Sequence, residues 1–151
     1  MTIRPTLSEQ LAGIQRALNS VVAPEVRAEY PAEILRRSAD IIGALAGREQ
    51  EDRRRLAAEI SGMVGLFETI RNRKGLAAGD DPRLYCIADT AIDESASYHK
   101  AELRDTAEIE AIGIALRGYL AAIIREFGCQ QHYEWLTVLL FGHVNEHVSA
   151  F

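Results

Sequence analysis

Apolar residues recur at alternating spacings of four and three along most of this chain, and each such stretch is closed by Gly or Pro. Leu7, Leu11, Ile14, Leu18 and Val21 keep the spacing, as do Leu56, Ile60, Met63, Phe67 and Ile70, and later Ile109, Ile112, Leu116, Tyr119 and Ile123. Residues so spaced share one face of a 3.6-residue helix, so the chain reads as a series of amphipathic helices with one buried stripe each. The expected fold is all-α: an up-and-down bundle of four main helices with one or two short extra ones, crossing near 20° as short connections favour.

Local signals place the elements. Thr6 with Glu9 is a capping box, starting a helix that runs to about Val22 and stops at Pro24. Pro31 suits the first helical position and opens a second helix, with Ile34, Ser38, Ile41 and Leu45 as its stripe, Leu35 and Ile42 widening it, and Gly47 at its end. A third opens with Glu49, Glu51 and Asp52 and closes with Arg71, Arg73 and Lys74, the charge order that complements a helix dipole. Gly75 to Pro82 is the clearest break, a turn within one domain spanning residues 1–151, and Asp81 before Pro82 caps the next helix. The pattern fails between Asp93 and Asp105. Asp105 then precedes a long apolar helix ended by Gly128, and a last helix covers roughly Gln131 to Val148. Glycines 13, 43, 62, 65, 113 and 118 fall inside these helices, where they mark either close helix crossings or kinks.

Composition narrows the classes of function. Among 151 residues, 48% are hydrophobic and 26% charged, which suits a globular domain large enough to bury a core without disulfide or metal staples. A net charge of -5 provides no positive field for nucleic acid or an anionic membrane. No apolar run reaches the length of about 20 residues that spans a bilayer, and residues 1–10 lack the pattern of a secretory signal. A cytoplasmic protein is expected. Cys86 and Cys129 form no CxxC and are expected to be buried thiols. The arginines at 53 to 55 follow acids and read as a solvated helix face.

Four histidines, at 99, 132, 143 and 147, all lie in the second half. His143 and His147 fall on the helix face of Leu136, Leu139 and Leu140 and stand four apart, a spacing at which two imidazoles reach one divalent ion. Further ligands would come from the stretch with Asp93, Glu94, His99 and Glu102; His132, eleven residues from His143, is too distant along the helix to join. The HVNEH string matches an inverted zinc peptidase motif, but only four residues follow His147, too few for that family's downstream ligand. Di-iron Glu-x-x-His motifs are absent, as are a G-x-S-x-G elbow, a P-loop and G-x-G-x-x-G. Adjacent Asp93 and Glu94 diverge by about 100° on a helix, poor geometry for a cooperating acid and base.

Two resemblances follow from these residues. The His143 and His147 pair resembles the late His-x-x-x-His of DinB-like metal-binding bundles, which implies a metal-dependent hydrolase or transferase. The opening Arg4-Pro5-Thr6-Leu7, the stretch Val21 to Val26, and the helix through Ile34, Leu35, Ala39, Ile41 and Ile42 resemble small bacterial helical proteins of unknown function. Those are often encoded beside acyl-CoA dehydrogenase-like and aminoglycoside-phosphotransferase-like enzymes, implying an accessory role in acyl metabolism. The leading expectation is a non-enzymatic interaction or assembly protein, without cofactor, that forms a homo-oligomer or docks a protein partner. Tyr133, Trp135, Phe141 and Phe151 would be its aromatic anchors. The alternatives are the metalloenzyme, with His143, His147, His99 and Glu94 around a divalent ion, and a bundle with a small-molecule cavity between its helices.

Overall fold

The computed structural model describes residues 5–76, 78–100 and 106–148, of which the side chains at 99, 100 and 145–148 are not described. The fold is all-α, with no strand among the described residues. Its α-helices are α1 (Leu7–Ala17), α2 (Glu29–Asn72), α3 (Pro82–Lys100), α4 (Thr106–Phe127) and α5 (Glu134–Val148). The chain groups into two compact units, Met1–Arg55 and Leu56–Phe151, and α2 contributes residues to both.

The first unit is a helical hairpin. Thr6 caps α1 through the expected box, its hydroxyl accepting from the Glu9 N–H while the Glu9 carboxylate accepts from the Thr6 N–H. A π-helical turn, Leu18–Val22, and a 3-10 turn, Ala23–Glu25, extend the helical path past Val22, and Pro24 sits in the first turn of the latter. α2 returns antiparallel to α1: the Ser8 hydroxyl donates to the Ala46 carbonyl at 3.2 Å, and the Gln15 amide lies where a Cβ on Gly43 would project. Among the described residues of this unit, only Ala39 and Ala46 are buried.

The structure corrects the sequence reading of this hairpin in two ways. The break expected at Gly47 does not occur, and the two helices foreseen on either side of it are one helix of 44 residues. Gly47 sits in open space, so its cost is only the roughly 1 kcal/mol of helix propensity, too little to end a helix continued on both sides. The stripe of Ile34, Ile41 and Leu45 also faces outward, at 48%, 62% and 48% exposure, while the residues turned toward α1 are Leu35, Ala39, Ile42 and Ala46. α1 follows suit, with Leu7 and Ile14 exposed and Leu11 and Leu18 half-buried.

In the second unit the sequence stripes are the core. Ile60, Met63, Phe67 and Ile70 of α2, Leu84, Ala88 and Ala91 of α3, and Ile109, Leu116, Ile123 and Phe127 of α4 are all buried, with Leu136 of α5. Arg117 of α4 ties to Glu59 of α2 by a charge-assisted bond of 2.7 Å, which raises the Arg117 pKa. Asp81 caps α3, its carboxylate accepting from the Arg83 N–H and side chain, which holds the Asp81 pKa below the usual carboxylate value. The polar stretch after Ile92 that the pattern could not place continues α3 as far as Lys100. Ser95 is buried there without penalty because its hydroxyl donates to the Ile92 carbonyl, and Tyr98 packs against the core. Gly128 ends α4 as expected, its N–H closing on the Ile124 carbonyl. The last helix begins with a 3-10 turn, Gln131–Tyr133, that leads directly into α5.

The interior glycines report few close crossings. Gly13, Gly65 and Gly118 have open space where a side chain would stand, and Gly113 has only ordinary contacts with Ile60 and Arg117. Cys86 and Cys129 are exposed rather than buried: Cys86 lies on the outward side of α3 beside buried Tyr85, and Cys129 in the turn after Gly128.

Candidate functional site

α5 is apolar on two opposite sides, and one core cannot cover both. Leu136 is fully buried, with Leu139 and Leu140 packed against the core beside it. Val138 and Phe141, on the other side, stand 69% and 66% exposed, and Val144, on the flank about a quarter turn from Leu136, is 53% exposed. A helix that needs only to cover a core carries polar residues on its outer face, so this outward row is the feature the fold itself does not require.

Beside the row lies a shallow apolar groove of about 340 Å³, lined by Thr69 of α2, Arg73 of the turn that follows it, and Trp135, Val138 and Leu139 of α5. The Arg73 guanidinium sits 4.2 Å from the centre of the half-buried Trp135 ring, a cation–π contact between two of the groove's lining residues. The groove is therefore mainly apolar, with one positive group in its lining.

The expected anchors divide. Phe141 is available on the outward row, and Trp135 is shared between the core edge and the groove. Tyr133 is spent inside its own chain: it is 2% exposed, stacks edge-on with Phe127 at 5.2 Å, and its phenol oxygen accepts from the Asp81 N–H at 2.7 Å. Phe151 lies outside the described residues.

Of the expected metal ligands, His143 is half-buried on α5. Glu94 is on the exposed side of α3, where it accepts from the Tyr119 hydroxyl of α4 at 2.6 Å, and this bond raises the phenol pKa. The side chains of His147 and His99 lie outside the described residues, as does Glu102. Among the described residues no three His, Cys, Asp or Glu side chains converge on a point that could hold an ion.

His132 has a well-defined setting. Its Nε2 lies 2.7 Å from Oδ1 of Asp80, whose other oxygen accepts from the Tyr85 hydroxyl in a short bond. The Asp80 carboxylate is nearly buried, Tyr85 is 3% exposed, and the His132 ring reaches solvent. Burial, then the bond to Asp80, push the Tyr85 phenol pKa up to about 12. The Arg73 carbonyl, 3.3 Å away, is a second acceptor within reach of the same hydroxyl. Sequence reasoning missed this trio because its members sit in a turn, a helix start and a 3-10 turn, with 52 positions between Asp80 and His132. The available signal was an acid in the Gly-rich turn immediately before a capped helix. Chemically the trio is a positioned imidazole, and it pins the turn before α3 to the 3-10 turn that leads into α5.

Compared with protein-family models, curated proteins and solved structures, the chain shows no match.

Proposed function

We propose that this chain is a non-enzymatic interaction and assembly protein that docks a protein partner through the outward face of α5. The observation that supports it is the exposed pair Val138 and Phe141, with Val144 on their flank, on a helix whose opposite side is already seated in the core. The adjoining groove, mainly apolar with Arg73 in its lining, suits a partner helix with an apolar stripe and an acidic flank. The resemblance in the first two helices suggests an enzyme of acyl metabolism as that partner.

The test is substitution of the row. Val138→Asp with Phe141→Asp should abolish stoichiometric binding of a purified partner while leaving the Trp135 fluorescence of the folded core intact; undiminished binding overturns the proposal. Elemental analysis separates this reading from the metalloenzyme. Near-stoichiometric metal that disappears in His143→Ala would overturn an assembly role without chemistry.

A further inference from the structure

We infer that the N-terminal hairpin is a dimerisation element, and that the apolar face on one side of it is covered by the same face of a second copy of this chain. The face combines Leu7 and Ile14 of α1 with Ile34, Ile41 and Leu45 of α2, all between 48% and 62% exposed. This inference concerns a different surface from α5 and stands independently of the partner proposed there.

Helix geometry puts these residues on one side. At about 100° per residue, Leu7 and Ile14 lie about a quarter turn from the line along which α1 meets α2, and Ile34, Ile41 and Leu45 about a third of a turn from it on α2. Because the helices run antiparallel, those two rotations carry both rows to the same side of the hairpin. Half-buried Leu11 and Leu18 lie between the α1 row and the contact line. Leu7 to Ile14 and Ile34 to Ile41 both step by seven, the interval that keeps a seam against a partner helix.

The extent of the face matches the hairpin. At the open end, Ser8 is level with Ala46, and the α2 row stops there: after Leu45 the next positions on that face are Arg48 and Asp52. No charge falls between Ile34 and Leu45 on the row itself, where the remaining position is Ser38.

Energetics favour a second copy as the occupant. A hairpin whose buried residues are two alanines has almost no core, and a helical unit of this size is not expected to hold together on that alone. Two hairpins joined face to face make four helices around leucine and isoleucine, an arrangement that encloses an interior of its own. Covering the exposed halves of five such side chains removes on the order of 500 Å² of apolar surface per copy, and about 1,000 Å² over both copies, the lower limit for a specific interface. A face carried on both helices of a hairpin also meets itself under a two-fold axis, as an isologous contact requires.

The experiment is sedimentation of the full chain from micromolar to sub-millimolar concentration, with variants. The wild type is expected to be dimeric; Ile14→Glu with Ile41→Glu should weaken the dimer by at least about tenfold with helical circular dichroism preserved, whereas Phe141→Asp should leave it unchanged. A wild type that remains monomeric throughout overturns the inference, and so does a dimer that survives the double substitution or is lost only in Phe141→Asp. Should the glutamate variant unfold, trapping decides. In a Cys86→Ser, Cys129→Ser background, Ile41→Cys should form an intermolecular disulfide faster than Arg36→Cys on the opposite side of α2, and equal rates overturn it.

Discussion

The two halves of this molecule use the same apolar spacing to opposite ends. In Leu56–Phe151 the stripe of Ile60, Met63, Phe67 and Ile70 is buried from end to end, and the matching stripes of α3 and α4 close over it. In Met1–Arg55 the equivalent stripe of Leu7, Ile14, Ile34, Ile41 and Leu45 faces outward. The difference is the number of helices available. Four segments can surround a common interior, whereas two can meet only along a line, and small Ala39 and Ala46 occupy that line while the larger side chains are left at its side.

The sharpest test of this contrast substitutes one large side chain in each unit. Phe67→Ala should cost about 3–5 kcal/mol, because it opens a cavity in the middle of the closed core. Ile41→Ala, in protein dilute enough to be a single copy, should change stability by no more than about 0.5 kcal/mol, as expected of an exposed site. Trp135 is the one tryptophan and belongs to the second unit, so urea unfolding followed by its fluorescence reads that unit, while circular dichroism reads both. Equal losses from the two substitutions would show that the hairpin has a core after all, and the contrast would fail.

A smaller effect is expected at the turn before α3, which tests whether polar pinning supplements the second core. Asp80→Ala removes the acceptor shared by Tyr85 and His132. The exposed imidazole regains water, and the buried phenol can turn to the Arg73 carbonyl, so the loss should be about 1–3 kcal/mol in urea titration, toward the lower end. A neutral outcome would mean that the turn is held by the Tyr133 bond to Asp81 alone.

Helix content and several of the caps and stops were legible because each is written within a few neighbouring residues. Thr6 with Glu9, Asp81 before Pro82, and Gly128 all do in the structure what their spacing implies. Which side of a helix is buried was legible only where enough other helices exist to cover it, and nothing local distinguishes the stripe through Ile41 from the stripe through Phe67. The continuity of α2 through Gly47 and of α3 beyond Ile92 escaped for the converse reason: weak helix signals are carried by the stable turns on either side. The Asp80, Tyr85 and His132 trio was invisible because its partners meet only after the second unit closes.

That trio also gives the second unit an alkaline signature. The Tyr85 proton is held up to about pH 12 in the folded chain against an ordinary phenol value of 10.0. Below about pH 10 both folded and unfolded chains keep the proton and the full stabilisation is present. As pH rises toward 12 the unfolded chain releases it first, so stability falls across that window. In Tyr85→Phe the fall monitored by Trp135 fluorescence should be shallower; an unchanged slope would assign it to other groups.

The smallest effect is expected within the hairpin, at the one interior glycine that is crowded. A methyl group at Gly43 would occupy the position of the Gln15 amide, the mobile end of a flexible side chain that can swing aside. Gly43→Ala therefore sets up to about 1 kcal/mol of gained helix propensity against the displacement of that amide. The net change should be stabilising by a few tenths of a kcal/mol. Combining it with Gln15→Ala removes the displaced group and should recover most of the propensity gain, while a loss in the double variant would mean that the backbones themselves are too close at this level. The outcome bears directly on the contrast between the units, because a hairpin whose helices can absorb a methyl group along their contact line is loosely joined there and has little else to hold it.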